Sequence, residues 1–187
     1  MTGEDAVSVM IGLLERAKID YMLVGSFSSN YFGISRATRD ADFVVHASET
    51  KRSALEAALP KGFEIAAQMA FEMVTSTTKQ VVRIKAIPFE IELFDLSHDE
   101  FDQQRFRRRK RVRDGNCDYW LATAEDVIVQ KLRWCKNGKR GKDYDDARDV
   151  TAVQGRALDF GYIRSWADRH GTRELFEEIF ASVESLF

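Results

Sequence analysis

Two short apolar runs constrain this chain more than any other feature. Tyr21-Met22-Leu23-Val24 halts at Gly25-Ser26, and Phe43-Val44-Val45 is preceded by Asp40-Ala41-Asp42. Runs this short, the first stopped by Gly, read as buried strands rather than helices. Between them Ser26 to Phe32 fits a short helix with Ser26 at or near its N-cap, closed by Gly33 before a polar loop over 34–39. Side chains two apart on a strand share a face, so Asp40 and Asp42 project together, about 6.6–6.8 Å apart along the backbone. Two carboxylates on one face can share divalent cations, and hard oxygen ligands suit Mg²⁺. Gly25 lets backbone approach a ligand closely, and free N–H groups at a helix start favour phosphate. Taken singly, a Gly-Ser pair is usually a turn and an Asp-x-Asp a solvated strand end. Their order and spacing instead suit a metal-bound triphosphate.

The rest of the chain has an α+β front and a helical tail. An amphipathic helix is predicted over 5–18, then a helix over 48–59 stopped by Pro60 and Gly62. Residues 63–96 read as a meander with β-rich runs at 71–76, 80–84 and 89–95. A charged helix is expected over 99–110 and a last strand over 117–121, and Thr123 caps a helix over 125–134. After a break at 137–141, helices are predicted over 144–153, 158–169 and 173–186. The expected organisation is therefore a front domain over 1–122 and a helical region over 123–187 packed on it. With 187 residues, 44% of them hydrophobic, the chain can bury a core without disulfide or structural metal. No apolar run approaches the ~20 residues that span a bilayer. The start lacks the pattern of a signal peptide, and Cys117 and Cys135 have no paired spacing, so a cytoplasmic protein without membrane partners is expected.

The ordered motifs resemble the nucleotidyltransferase superfamily with the DNA polymerase β-like fold. Leu23-Val24-Gly25-Ser26 and Asp40-Ala41-Asp42-Phe43 match its first two elements, a hydrophobic-Gly-[Gly/Ser] turn and an Asp-hydrophobic-[Asp/Glu] strand. Arg36-Ala37-Thr38-Arg39-Asp40-Ala41-Asp42 looks like the Arg-x-Thr-x-Asp-x-Asp of bacterial branches related to AbiEii-type abortive-infection toxins. Glu125-Asp126-Val127-Ile128-Val129-Gln130-Lys131-Leu132 resembles their Glu-Asp-x-Ile-x-x-Lys-Leu helix, and Asp143 to Val150 resembles the Asp-containing helix that follows. The stretch Leu158 to Ala167 is similar to uncharacterised bacterial members. The resemblance covers nearly the whole chain in order. It implies a nucleotidyltransferase-type mixed sheet flanked by helices, followed by a C-terminal helical bundle.

The resemblance further implies that Asp40 and Asp42 bind two Mg²⁺ (or Mn²⁺) ions and that Gly25 and Ser26 hold the NTP. It calls for a third carboxylate on a later strand. Alignment with the hydrophobic-Asp-hydrophobic element selects Glu92, with Glu90 on the same strand face and Asp95 on the other. Lys131 is either a snorkelling surface residue or, by the family match, a phosphate contact. Arg36 and Thr38 either steady the nucleotide or bond their own loop. Asp146 lines the cleft or pairs within its helix. The segment 105–113 holds Arg105, Arg107, Arg108, Arg109, Lys110, Arg111 and Arg113, which read as a polyanion patch or as a solvated helix face. The activity implied is NMP transfer from an NTP to a macromolecular hydroxyl, with a tRNA end favoured, and the partners implied are tRNA or other RNA and a cognate antitoxin. Nucleotidylation of a protein, modification of a small molecule such as an antibiotic, and a non-catalytic binding module are the alternatives.

Overall fold

The computed structural model describes residues 1–115, 117–138 and 141–186. Its helices are α1 (Gly3–Arg16), α2 (Gly25–Phe32), α3 (Glu49–Ala57), α4 (Glu100–Arg108), α5 (Ala124–Gly138), α6 (Gly141–Gln154), α7 (Phe160–His170) and α8 (Arg173–Val183). Its strands are β1 (Asp20–Val24), β2 (Asp40–His46), β3 (Phe63–Ile65), β4 (Ala70–Glu72), β5 (Thr77–Ile84), β6 (Phe89–Asp95), β7 (Lys110–Asp114) and β8 (Cys117–Leu121). The chain divides into two compact units, one formed by Met1–Val24 with Thr38–Leu121, the other by Gly25–Ala37 with the chain from Ala122 onward. Residues 25–37, which belong to the front portion in sequence, thus cluster with the C-terminal helices.

The first unit is a mixed sheet in the order β3-β5-β6-β2-β1-β8-β7, with β4 also paired to β5. The β2–β6 and β1–β8 pairs are parallel and the remaining pairs antiparallel. Alternation along β2 decides what each face carries. Ala41, Phe43 and Val45 are buried on one face. There Leu14 of α1 and Leu55 of α3 line one small cavity with Val45 and Leu93. Asp40 and Asp42 are left on the opposite face. Helix α1 starts cleanly because the Thr2 hydroxyl accepts from Asp5 N–H while the Asp5 carboxylate accepts from Thr2 N–H, a reciprocal capping box. Its inward stripe is Ala6, Val7, Met10, Ile11, Leu13 and Leu14.

Two elements depart from the sequence reading. The helix expected to run to residue 110 stops at Arg108, and Lys110–Asp114 pairs with Cys117–Leu121 as a hairpin. Arg109 is extended (φ −50°, ψ 144°), and Gly115, which lies between the paired Asp114 and Cys117, adopts φ +57°, so a glycine at the hairpin connection outweighs the charged helix pattern. The β-rich run at 71–76 yields only Ala70–Glu72 as strand. The Glu72 carboxylate accepts the N–H groups of Val74 (2.7 Å) and Thr75 (2.8 Å), which turns the chain before it re-enters β5.

The second unit packs α2 with α5, α6, α7 and α8 around Ile128, Leu132, Ile163, Phe176 and Ile179. Helix α5 begins at Thr123, whose hydroxyl accepts from Asp126 N–H (3.3 Å) and donates to the Asp126 carboxylate (2.8 Å). Of the expected break at 137–141, Lys139 and Arg140 lie outside the described residues. No helix among the described residues is long and apolar enough to cross a membrane.

Candidate functional site

The acidic face of the sheet is built by strand register. In the parallel β2–β6 pair Asp40 stands opposite Glu90 and Asp42 opposite Glu92. Paired residues on neighbouring strands lie about 4.8 Å apart and share a face. Val24, the last residue of β1, pairs with Asp42 from the other side. The three acidic candidates on β6 therefore have different situations. Glu90 is on this face but its exposed carboxylate is bonded to Arg83 (3.0 Å). Asp95 is on the opposite face, held by Arg52 and by the Thr78 hydroxyl. Glu92 is on this face, in register with Asp42 and mostly buried.

Two neighbours fix these carboxylates. The Thr38 hydroxyl donates to Asp40 Oδ1 at 2.6 Å, so Thr38 orients the first carboxylate from the loop before β2. Lys79 of β5 places Nζ 2.7 Å from both oxygens of Glu92. Lys79 stands directly opposite Phe94 in the β5–β6 register, so its long side chain crosses diagonally to Glu92, and Nζ lies 5.5 Å from the Phe94 ring centre.

Among the described residues, no three Asp, Glu, His or Cys side chains converge as a ready-made metal cluster. Mg²⁺ bound with a nucleotide does not require one, because it takes one or two carboxylates and completes its shell with phosphate oxygens and water. Asp40 and Asp42, hard oxygen donors on one strand face, meet that requirement.

The second unit has its own polar constellation. Gly25 opens α2 at φ +64°, a backbone conformation that favours glycine. Ser26 is buried, and its hydroxyl accepts from the Arg36 guanidinium at 3.0 Å. Arg36 donates twice to Asp146 (2.7 and 2.8 Å), and its backbone is clamped by Asn30, which bonds both its N–H and its C=O. Lys131 lies 2.7 Å from Asp146 Oδ2 and 3.0 Å from Asp143 Oδ1, and Ser29 donates to Asp146 Oδ2 at 3.2 Å. Asp146 is thus the hub of the cluster. Burial opposes its ionisation most, but the Arg36 hydrogen bonds and the Lys131 charge and hydrogen bond together outweigh that and hold its carboxyl at about 2. Lys131 is buried in ion pairs rather than snorkelling to solvent.

The basic segment 105–113 is spread over two elements and several environments. Arg105 is 5% exposed and bonded to Asp102 at 2.8 Å. Arg109 lies over the rings of Phe106 and Trp120 and pairs with Asp20. Arg111 pairs with Glu15, and Arg113 approaches Asp118 at 3.8 Å. Arg107, Lys110, Arg111 and Arg113 are exposed, and Arg108 is partly so. The segment does not form one continuous guanidinium surface.

Sequence reasoning missed Lys79, Asp143, Ser29 and Asn30. No motif marks Lys79, and only the register of β5 on β6 brings it to Glu92. Asp143 falls within the stretch already compared with the Asp-containing helix, but its pairing with Lys131 requires the α5–α6 packing.

No protein-family model matches the sequence, and no curated protein does. Solved structures do. An antigenic nucleotidyltransferase-like protein from Paracoccidioides brasiliensis superposes with a TM-score of 0.58 over 96% of this chain and 92% of its own, at 20% identity. ANT(2")-Ia, solved in complex with adenylyl-2"-tobramycin, superposes with a TM-score of 0.61 over 88% of this chain and 94% of its own, at 10% identity. These likenesses establish the nucleotidyltransferase fold.

Proposed function

We propose that the chain is a metal-dependent nucleotidyltransferase that moves an NMP from an NTP to a hydroxyl group. The observation that carries this reading is the register of β2 and β6, which aligns Glu92 with Asp42 on the face that also bears Asp40. Asp40 and Asp42 would hold a divalent ion, which would supply positive charge where negative charge develops on the leaving pyrophosphate. Thr38 keeps Asp40 in one orientation for that contact. By the motif resemblance, Gly25, Ser26, Arg36, Thr38, Lys131 and Asp146 are proposed as nucleotide-binding residues, and within the second unit Asp146 pairs with both Arg36 and Lys131. In the reaction the acceptor oxygen bonds to the α-phosphorus and the α–β bridging P–O bond breaks. The hydroxyl proton passes to a base, a role proposed for Glu92, and pyrophosphate leaves.

The acceptor proposed first is a hydroxyl at an RNA end, with tRNA favoured. The exposed cations Arg107, Lys110, Arg111 and Arg113 support it through phosphate attraction. The motif resemblance to AbiEii-type members adds a toxin-like role with a cognate antitoxin. A small-molecule hydroxyl is the second reading. It is favoured by the likeness to ANT(2")-Ia over 94% of that chain and by the dispersal of the basic segment among ion pairs. Incubation with each α-labelled NTP, Mg²⁺ and either total tRNA, cell protein or aminoglycosides tests these readings. Label in tRNA that disappears in Asp42→Asn supports the first. Label only in the small molecule replaces it with the second, and no transfer to any acceptor contradicts both.

A further inference from the structure

Lys79 occupies both oxygens of the carboxylate best placed to complete the acidic face. Its Nζ is 2.7 Å from Glu92 Oε1 and 2.7 Å from Oε2, and the pair is largely sheltered, with 25% of the Lys79 and 18% of the Glu92 side chain exposed. Such sheltering strengthens a charge-assisted contact relative to the same pair in open water. The lysine is held on both sides by strands, opposite Phe94 on β6 and opposite Ala70 on β4. The other carboxylates of the face are situated differently. Thr38 contributes a neutral hydroxyl to Asp40. Glu90 pairs with Arg83 at an exposed position. Glu92 is met at both oxygens by one ammonium group on a strand that is paired on both sides.

We propose that Lys79 is the resident cation of the Glu92 position, so that this chain binds one divalent ion with its nucleotide, through Asp40 and Asp42, where Glu92 would otherwise recruit a second. A divalent ion and an ammonium compete for the same two oxygens. The ammonium is covalently tethered and already in contact, whereas a hexahydrated Mg²⁺ must shed tightly held water to take its place. Lys79 is then a positioning residue. It holds both oxygens of the Glu92 carboxylate from the β5 side of the strand. This rests on the donor-site reading above and refines it by assigning one resident ion rather than two.

The test is the number of Mn²⁺ ions bound in the presence of a non-hydrolysable NTP analogue, read by electron paramagnetic resonance and calorimetry on the full chain. The wild type should bind one ion. Lys79→Met, which keeps the stem against Phe94 and removes the charge, should bind two. Lys79→Met combined with Glu92→Gln should return to one, and Lys79→Arg should remain at one. Circular dichroism establishes that each variant is folded, and the wild-type count stands without them. Two ions in the wild type overturn the inference and leave the donor site intact. One ion in folded Lys79→Met also overturns it, because the lysine is then not what excludes the second. No nucleotide-dependent Mn²⁺ in any of the proteins overturns the donor-site reading itself and the inference with it.

Discussion

At the scale of single residues, the acidic face is ordered by neighbours as much as by its own carboxylates. The Thr38 hydroxyl donates to Asp40 at 2.6 Å, and if Asp40 holds a metal as proposed, loss of a hydrogen bond that orients a ligand typically lowers metal affinity or activity about 10–100-fold. Thr38→Val should therefore weaken nucleotide-dependent Mn²⁺ binding by roughly that factor while leaving the unfolding midpoint nearly unchanged. Asp146 gives a second residue-scale expectation. Its carboxyl is held at about 2, below its ordinary 3.8, so its contribution is fully present above the ordinary value and is lost as pH falls toward the folded one. The loss should amount to about 2 kcal/mol across the window from roughly pH 5 to pH 2. Urea unfolding at a series of pH values checks this, and Asp146→Asn should have a flatter acid limb than the wild type. An identical acid limb in both proteins would contradict the ion-pair cluster.

At the scale of elements, β1, α2, β2 and the helices of the tail were legible because their apolar periodicity, stops and caps agreed. Asp40–His46 is the clearest case, since the alternation that buries Phe43 and Val45 also exposes Asp40 and Asp42 to the other face. The segment 109–114 was not legible as a strand, because seven basic residues in nine fit a solvated helix as readily as an edge strand. The deciding signal was Gly115 at the hairpin connection, a local preference that composition hid. Gly115 at φ +57° has nothing within 4 Å of an added Cβ, so Gly115→Ala should cost about 1 kcal/mol through the backbone alone. Thr123→Ala removes the cap of α5 and should likewise cost about 1 kcal/mol, read as a lower midpoint in chemical unfolding. Lys79 was illegible for a different reason. Its partner lies across a strand pair whose register depends on the whole meander, and no local spacing encodes that.

At the scale of the whole molecule, the chain carries a formal charge of −2. The sheet unit carries Asp40, Asp42, Glu92 and Lys79. The helical unit carries the cluster of Ser26, Arg36, Lys131 and Asp146. The fold likeness to nucleotidyltransferase structures extends over most of the chain, and the activity proposed above would rest on such groups rather than on the fold. The most direct test of the central claim is thermal unfolding with Mg²⁺ or Mn²⁺ and each NTP in turn, on the wild type and on Asp40→Asn/Asp42→Asn. A nucleotide at about 100 times its dissociation constant should add ~2.7 kcal/mol of stability. The account predicts a metal-dependent rise in midpoint with at least one NTP that is absent from the double variant. No rise with any nucleotide, or an equal rise in the double variant, would contradict it.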